Sequence, residues 1–213
     1  MKENILVICS HSDDEFVALG GTLFKYAKDN HNILTIIFSH GEKSLPHLQE
    51  EIVKQERIKE TEKATKLLKR TTIFLDIPEN QFSKNKSKIK TQLRKIIEEF
   101  KPTKIFTHSK TDVHKDHRDV NDIVLSLKIK EKTHLYTFDV WNPMKVLNIF
   151  KIEDLPKLYV DTTKTHSLKI KALNLFESQK PYITSLLPFL HIQERLNGMK
   201  NDCKYAEVFD KIK

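Results

Sequence analysis

Residues 5–26 read ILVICSHSDDEFVALGGTLFKY. The first five residues are apolar and mostly branched, which is typical of a strand buried on both faces of a parallel sheet. Polar residues 10–15 interrupt this run, and apolar residues then recur at the spacing of a helix face, at Phe16, Leu19, Leu23 and Tyr26. The stretch therefore predicts a strand, a polar loop and a helix in succession, the first unit of a wound α/β sheet.

The same alternation continues along the chain. Further strands are predicted at Ile33 to Ser39, Thr72 to Leu75, Lys104 to Thr107, Leu135 to Val140 and Leu158 to Val160. Further helices are predicted at Leu48 to Lys69, Ile89 to Phe100, Val120 to Leu127 and His166 to Gln179, and Ile52 is among the residues expected to face inward on the first of these. The pattern predicts one doubly wound α/β domain over residues 1–213, with a mostly parallel sheet and helices on both faces.

The composition is that of a folded domain. The 213 residues are 38% hydrophobic and 31% charged. Apolar runs such as Ile33 to Phe38 fall far short of the ~18 residues that cross a bilayer, so no membrane span is predicted. The first residues lack the apolar core and cleavage site of a secretion signal, which predicts a cytoplasmic protein. Cys9 and Cys203 are therefore expected to be reduced, structural thiols.

The formal net charge of +8 raises the alternative of a nucleic-acid or phosphate-binding module. Basic residues cluster at Lys84, Lys86, Lys88, Lys90 and Arg94. They lie among Ser, Asn and Gln without interleaved aromatic residues, and they lead into an amphipathic pattern. This arrangement favours a solvated helix face and predicts no specific nucleic-acid partner.

Two clusters of ionisable residues each follow a predicted strand. One is Ser10 to Glu15, and the other is Asp112 to Arg118. Ligands of open α/β sheets bind outside the carboxyl ends of the strands, where both clusters are expected. His11 and Asp14, three residues apart, and His117 supply three ligands of the types that catalytic zinc uses, with one position left for water. The spacing therefore predicts a metal site.

The remaining residues of these clusters suit hydrolysis at a carbonyl. Asp13 is placed to take the proton of an attacking water molecule. A protonated His114, oriented by Asp116, would stabilise the oxyanion and then protonate a departing amine. Taken singly, either adjacent aspartate would be interpreted as a helix cap. The other histidines are expected at the surface: His31, His40, His47, His108, His134, His166 and His191.

At these residues the sequence resembles the LmbE-like deacetylase family, which includes the N-acetylglucosaminyl-phosphatidylinositol de-N-acetylases. The family's His-Pro-Asp-Asp-Glu motif corresponds to residues 11–15, followed here as in the family by Gly20-Gly21-Thr22-Leu23. Further matches are Gly41-Glu42-Lys43, Arg57 with Glu60, and the Asp-x-His-x-Asp-His-Arg motif at residues 112–118. Weaker matches are Trp141-Asn142-Pro143, Ser178-Gln179 and Ala206-Glu207 with Phe209. The departure is Ser12, where the family usually has proline.

The resemblance implies a Rossmann-like fold and zinc held by His11, Asp14 and His117, with Fe²⁺ or another divalent ion as an alternative. It also implies Asp13 as general base and His114 with Asp116 as acid or oxyanion stabiliser. The activity expected of such a protein is removal of the N-acetyl group from an N-acetylglucosamine-type substrate, a hydrolysis of a linear amide. The candidates for substrate contacts or for support of the ligands are Glu15, Arg57 and Arg118.

Two alternatives remain beside this enzyme. One is the basic binding module, in which the carboxylates only cap helices. The other keeps the metal but takes a phosphoester substrate, although such enzymes commonly use two metals. The expected partner of the favoured enzyme is a small amino-sugar conjugate, whose attached group the motifs do not identify. Homo-oligomerisation is left open.

Overall fold

The computed structural model describes residues 2–45, 47–68, 70–140 and 155–213. The strands are β1 (Asn4–Cys9), β2 (Asn32–Ile37), β3 (Thr71–Phe74), β4 (Lys104–His108), β5 (His134–Phe138), β6 (Lys157–Asp161) and β7 (Ala206–Lys211). The helices are α1 (Asp14–Lys28), α2 (Glu50–Leu68), α3 (Lys86–Phe100), α4 (Lys115–Leu125), α5 (His166–Leu173) and α6 (Lys180–Lys200). The match to Trp141-Asn142-Pro143 lies outside the described residues.

The strands form one sheet in the order β3-β2-β1-β4-β5-β7-β6. The five strands from β3 to β5 are parallel, whereas β7 is antiparallel to both of its neighbours. The predicted Rossmann-like, mostly parallel sheet is therefore confirmed. Chain order reverses between β1 and β4, so the crevice that such a sheet offers to ligands lies at the carboxyl ends of these two strands.

Hydrophobic cores lie on both faces of the sheet. Ile5, Val7 and Cys9 of β1 pack in one core with residues of α1 and α6. Leu6 and Ile8 point to the other core, which includes residues of α3 and α4. All five side chains are fully buried. The unbroken apolar run from Ile5 to Cys9 is thus explained by burial on both faces, as the sequence predicts.

Some elements differ from the predictions. Ile52 is 50% exposed, because it lies in the first turn of α2 and not on the face that packs on the sheet. The helix predicted at His166 to Gln179 ends at Leu173 and is followed by a 3₁₀ turn, Glu177–Gln179. α6 and β7 have no counterpart in the predictions. Pro188 lies inside α6, and proline usually argues against a helix.

Other features, including the two cysteines and the basic residues near α3, agree with the predictions. Among the described residues, no helix has the length and apolar content that crossing a membrane requires. Cys9 is buried, Cys203 is half-buried, and both are free thiols, as expected. The basic residues from Lys84 to Arg94 are mostly exposed along α3 and the turn before it, as a solvated helix face requires.

Candidate active site

The loops after β1 and β4 bring the two ionisable clusters together. The ring of His11 lies 5.1 Å from that of His114 and 5.6 Å from that of His117, measured between ring centroids. His11 and Asp116 are 105 residues apart in the sequence, and the parallel pairing of β1 with β4 places the two clusters side by side. The predicted convergence at the carboxyl edge therefore exists.

The loop after β1 is shaped by backbone contacts: Asp13 is the N-cap residue of α1, but neither aspartate caps this helix through its carboxylate. Asp13 has a φ of +91° and its carbonyl oxygen, not its carboxylate, accepts hydrogen bonds from the N–H groups of Phe16 and Val17. The Asp14 carboxylate accepts the N–H of His11 at 2.8 Å. The alternative of capping through a carboxylate is therefore wrong for both residues, and the Asp13 carboxylate is left to face the cavity.

Two groups of side chains lie close enough to share one metal ion, and both include His117. One group is His11, His114 and His117, and the other is Asp14, His108 and His117. Asp14 connects the two groups. Its carboxylate oxygens lie 3.4 Å from His117 Nε2 and 3.8 Å from His11 Nδ1. These imidazole and carboxylate donors fit a divalent ion such as zinc.

His117 is held in place by a second carboxylate. Asp112 Oδ1 lies 2.9 Å from His117 Nδ1, and Asp112 also accepts the N–H groups of His114 and Val140. Burial lowers the pKa of His117, but Asp14 and Asp112 outweigh it and bring the pKa to about 10. The cluster therefore stabilises a positive charge at this position, which is what binding of a metal cation requires.

His108, expected at the surface, is fully buried beneath this cluster. It is the last residue of β4, and its ring stacks on that of His117 with the centroids 4.1 Å apart. Burial and the charge of His117 lower its pKa to about 4. Its Nε2 accepts the N–H of Ser10 at 2.9 Å, so the lone pair that a metal would need is already engaged. His40 is also buried, contrary to expectation.

The family of the chain follows from its sequence profile. The profile described as PIG-L, GlcNAc-PI de-N-acetylase, matches residues 6–128, which is more than half of the chain and includes both ionisable clusters of the site. The chain belongs to the PIG-L family.

Solved structures of similar fold include proteins of more than one activity. An N,N'-diacetylchitobiose deacetylase from Pyrococcus horikoshii has a TM-score of 0.80 at 20% identity, with 98% of this chain and 83% of that chain covered. A teicoplanin deacetylase gives 0.79 at 18% identity, with 97% of each chain covered. A 4-carboxy-2-hydroxymuconate hydratase from Pseudomonas putida gives 0.80 at 19% identity, covering 100% and 97%.

In this PIG-L family chain the site opens into a cavity of about 560 Å³. His11, Asp13, Asp14, His114 and His117 line it, and so do Arg57, Glu79, Gln179 and Tyr182. Glu15 and Arg118 do not line the cavity. Glu15 is buried, and burial together with the neighbouring aspartates raises its pKa to about 8. Arg118 donates to the carbonyl oxygens of Asp112 and Val113 and so holds the loop after β4.

Arg57 holds the loop after β1. Its guanidinium donates to the carbonyl oxygens of Ser12 and His40 and lies 3.5 Å from the Asp13 carboxylate. Burial raises the pKa of Asp13 to about 6, although Arg57 opposes this shift. The position that usually holds proline in the family is thus fixed here through the carbonyl group of Ser12.

The contacts of Asp116 and His114 differ from those predicted. The Asp116 carboxylate lies 3.3 Å from His11 Nε2 and accepts the N–H of Asn80, whereas only its backbone N–H contacts His114 Nδ1. Asp116 lies in the first turn of α4, and its side chain is directed toward the loops after β1 and β3. Burial and the neighbouring imidazoles lower the pKa of His114, which disfavours the protonated form that the sequence suggested.

Glu79 was not predicted. It lies in the loop after β3, with Oε1 3.5 Å from His11 Nε2 and Oε2 accepting the N–H of Lys43. Burial raises its pKa. No cluster of ionisable residues marks this loop in the sequence, and the only available signal was its position after a strand at the ligand edge.

Proposed function

We propose that this protein is a metal-dependent N-deacetylase that hydrolyses the N-acetyl group of an N-acetylglucosamine-type substrate. The proposed ligands are His11, Asp14 and His117, and the proposed ion is zinc, with Fe²⁺ as the alternative. The observation that carries the proposal is one cavity lined both by these three donors and by a second carboxylate, that of Asp13.

Two of the similar structures support this reaction by their names, which are those of deacetylases. The hydratase has the same fold, so the fold alone does not select the chemistry. The family description, GlcNAc-PI de-N-acetylase, and the donor set at the cavity favour amide hydrolysis.

The metal ion and Asp13 would have different roles in the reaction. When bound, a divalent ion supplies Lewis acidity, which polarises the amide carbonyl and lowers the pKa of water. Asp13, with a pKa of about 6, is largely ionised at neutral pH and takes the proton of the attacking water. Once protonated, Asp13 would return this proton to the departing amine.

His114 would stabilise the oxyanion as a neutral donor. Its Nδ1 accepts the N–H of Asp116 at 3.3 Å, which assigns the ring proton to Nε2. Its lowered pKa keeps the ring uncharged near neutral pH. A neutral N–H donor loses no proton while charge develops on the carbonyl oxygen, so it stabilises that charge without completing a proton transfer.

The alternatives are less well supported. A phosphoesterase commonly uses two metals, but the second candidate donor group includes His108, whose Nε2 already accepts the N–H of Ser10. A nucleic-acid-binding module would leave unexplained why buried carboxylates and imidazoles surround one cavity. None of the exposed lysines of α3 lines that cavity.

The proposal is tested by an acetate-release screen. The purified protein is incubated with N-acetylglucosamine, with its inositol, malate and lipid conjugates, and with diacetylchitobiose, and acetate and free amine are both measured. We expect equimolar acetate and amine from at least one of them. Release from none of them by a protein that carries one divalent metal per chain would overturn the proposal.

A further inference from the structure

α2 carries two buried charged side chains one turn apart, Arg57 and Glu60, which are 2% and 5% exposed. Buried charges are rare unless they are paired or hydrogen-bonded. The two are close enough in sequence to interact on one helix face. Their described partners nevertheless lie in different parts of the chain, because Arg57 binds the loops after β1 and β2.

Glu60 binds Ser178. One carboxylate oxygen accepts the N–H of Ser178 at 2.8 Å and the other accepts its Oγ–H at 2.7 Å. Ser178 lies in the 3₁₀ turn that directly precedes α6, and 118 residues separate it from Glu60. A carboxylate that accepts two hydrogen bonds from one residue fixes both its backbone and its side chain.

The residues that follow Ser178 lie at the cavity. Gln179 is 8% exposed and donates through Nε2 to Ser44 Oγ at 3.0 Å, and both residues line the cavity. Tyr182, in the first turn of α6, also lines it, and burial together with Asp13, Asp14 and Asp112 raises its pKa. The tyrosine hydroxyl therefore stays protonated and can donate a hydrogen bond. Glu60 itself does not line the cavity.

We propose that Glu60 is a positioning residue for substrate recognition: by holding Ser178, it places Gln179 and Tyr182 against the sugar of the substrate. The proposal rests on the proposed deacetylase function. Arg57 and Glu60 then have separate tasks on one helix, since Arg57 fixes the loop that carries Asp13 and Glu60 fixes the side of the cavity that meets the sugar. Loss of Glu60 affects substrate affinity and spares the metal.

The test compares Glu60→Gln with the wild type and with Glu62→Gln, a control at an exposed position of the same helix. Loss of hydrogen bonds to a charged group predicts that KM for the best N-acetylglucosamine substrate rises about tenfold or more. We expect kcat within about threefold and the metal content unchanged, because no ligand or reacting group is altered. Glu62→Gln is expected to match the wild type.

A second variant, Ser178→Ala, removes the partner's hydroxyl. If the two residues act together, the double variant raises KM less than the product of the single effects. The same comparison is made for binding of N-acetylglucosamine to the Asp13→Asn protein, a readout that needs no turnover. An unchanged KM and an unchanged binding constant in Glu60→Gln, or loss of kcat and metal with KM unchanged, would overturn the inference and leave the deacetylase function intact. A wild type that releases no acetate would overturn both.

Discussion

Asp13 and Asp14 are adjacent in the sequence but lie in different electrostatic environments. Burial raises the pKa of Asp13 to about 6. Burial also opposes ionisation of Asp14, but His117 and His108 outweigh it and hold the pKa well below its usual range. One carboxylate is thus suited to exchange a proton and the other to remain charged beside a cation.

We therefore expect substitutions of Asp13 and Asp14 to affect metal content and turnover differently. Asp13→Asn is expected to retain metal and to lower turnover by about 10²–10⁴-fold, because an amide cannot accept the proton of water. Asp14→Ala is expected to lose metal first and activity as a consequence. Metal content and deacetylation rate are measured on the same samples, and an apo Asp13→Asn with a loaded, active Asp14→Ala would show that the two roles are exchanged.

Asp112 is predicted to act on the metal through His117. Asp112→Asn is expected to weaken metal affinity by about 10–100-fold, since it weakens the carboxylate contact that orients the imidazole. The measurement is a competition titration against a chelator. Asp122→Asn, an exposed position on α4, is the matched control. Equal metal affinity in both variants would contradict an orienting role for Asp112.

Much of the candidate site was predictable residue by residue, because the proposed ligands occur in two short motifs. The sequence placed His11, Asp14 and His117 at one edge, and they lie there. It did not predict His108, Glu79 or the Asp112 contact, because a single histidine or carboxylate carries no signal until the strands are paired. The orientation of the Asp116 side chain likewise depends on packing of the loop after β3.

At the scale of elements, a buried ionic network joins α1, α5, α6 and β7. Lys169 donates to Glu194 and Glu207 at 2.6 and 2.7 Å. Glu207 also accepts the N–H groups of Gly21 and Thr22, which are freed where α1 departs from helical geometry at Leu19. This network supports the helix whose N-terminus carries Asp14.

We expect Lys169→Met to lower the free energy of unfolding by about 3–5 kcal/mol, because it leaves buried carboxylates without their cation. Chemical denaturation measures the change, and Lys171→Met, exposed on the same helix, is the control. A loss no larger than that of the control would show that the network contributes little.

The same network predicts a pH dependence. Burial opposes ionisation of Glu194, but Lys169 and His166 outweigh it, so the pKa in the folded state is lowered. Its stabilising contribution is therefore present above the unfolded pKa of about 4.3 and is lost as the pH falls through the folded value. The difference in unfolding free energy between wild type and Lys169→Met should shrink below about pH 4. A difference that grows in acid would contradict this sign.

Element boundaries were predicted least well near the C-terminus. The strands buried on both faces are recognisable from apolar composition alone, so β1, β2 and β4 were anticipated. α6 contains Pro188, and β7 mixes apolar with charged residues and lies antiparallel between β5 and β6. Neither resembles the pattern of the first half, and their roles follow from tertiary contacts such as those of Ser178 and Glu207.

For the molecule as a whole, the enzyme and the binding module differ in what the net charge of +8 does. We expect weak, non-specific binding to DNA or RNA that disappears at physiological salt, since the lysines of α3 form an exposed face without aromatic residues. Fluorescence anisotropy with a labelled oligonucleotide across a salt series measures this. Tight, sequence-dependent binding that persists in salt would favour the binding module.

In the proposed mechanism, one metal ion, held by His11, Asp14 and His117, enables hydrolysis of an N-acetylated amino sugar. The most direct test of this mechanism is the rate of acetate release measured while a metal-free protein is titrated with zinc. The rate is predicted to rise in proportion to bound metal, to reach a plateau at about one ion per chain, and to stay at background in His117→Ala, because two ligands hold zinc poorly. Full acetate release by the metal-free protein, or a plateau only at two ions per chain, would show that a single ion at this site does not drive the reaction.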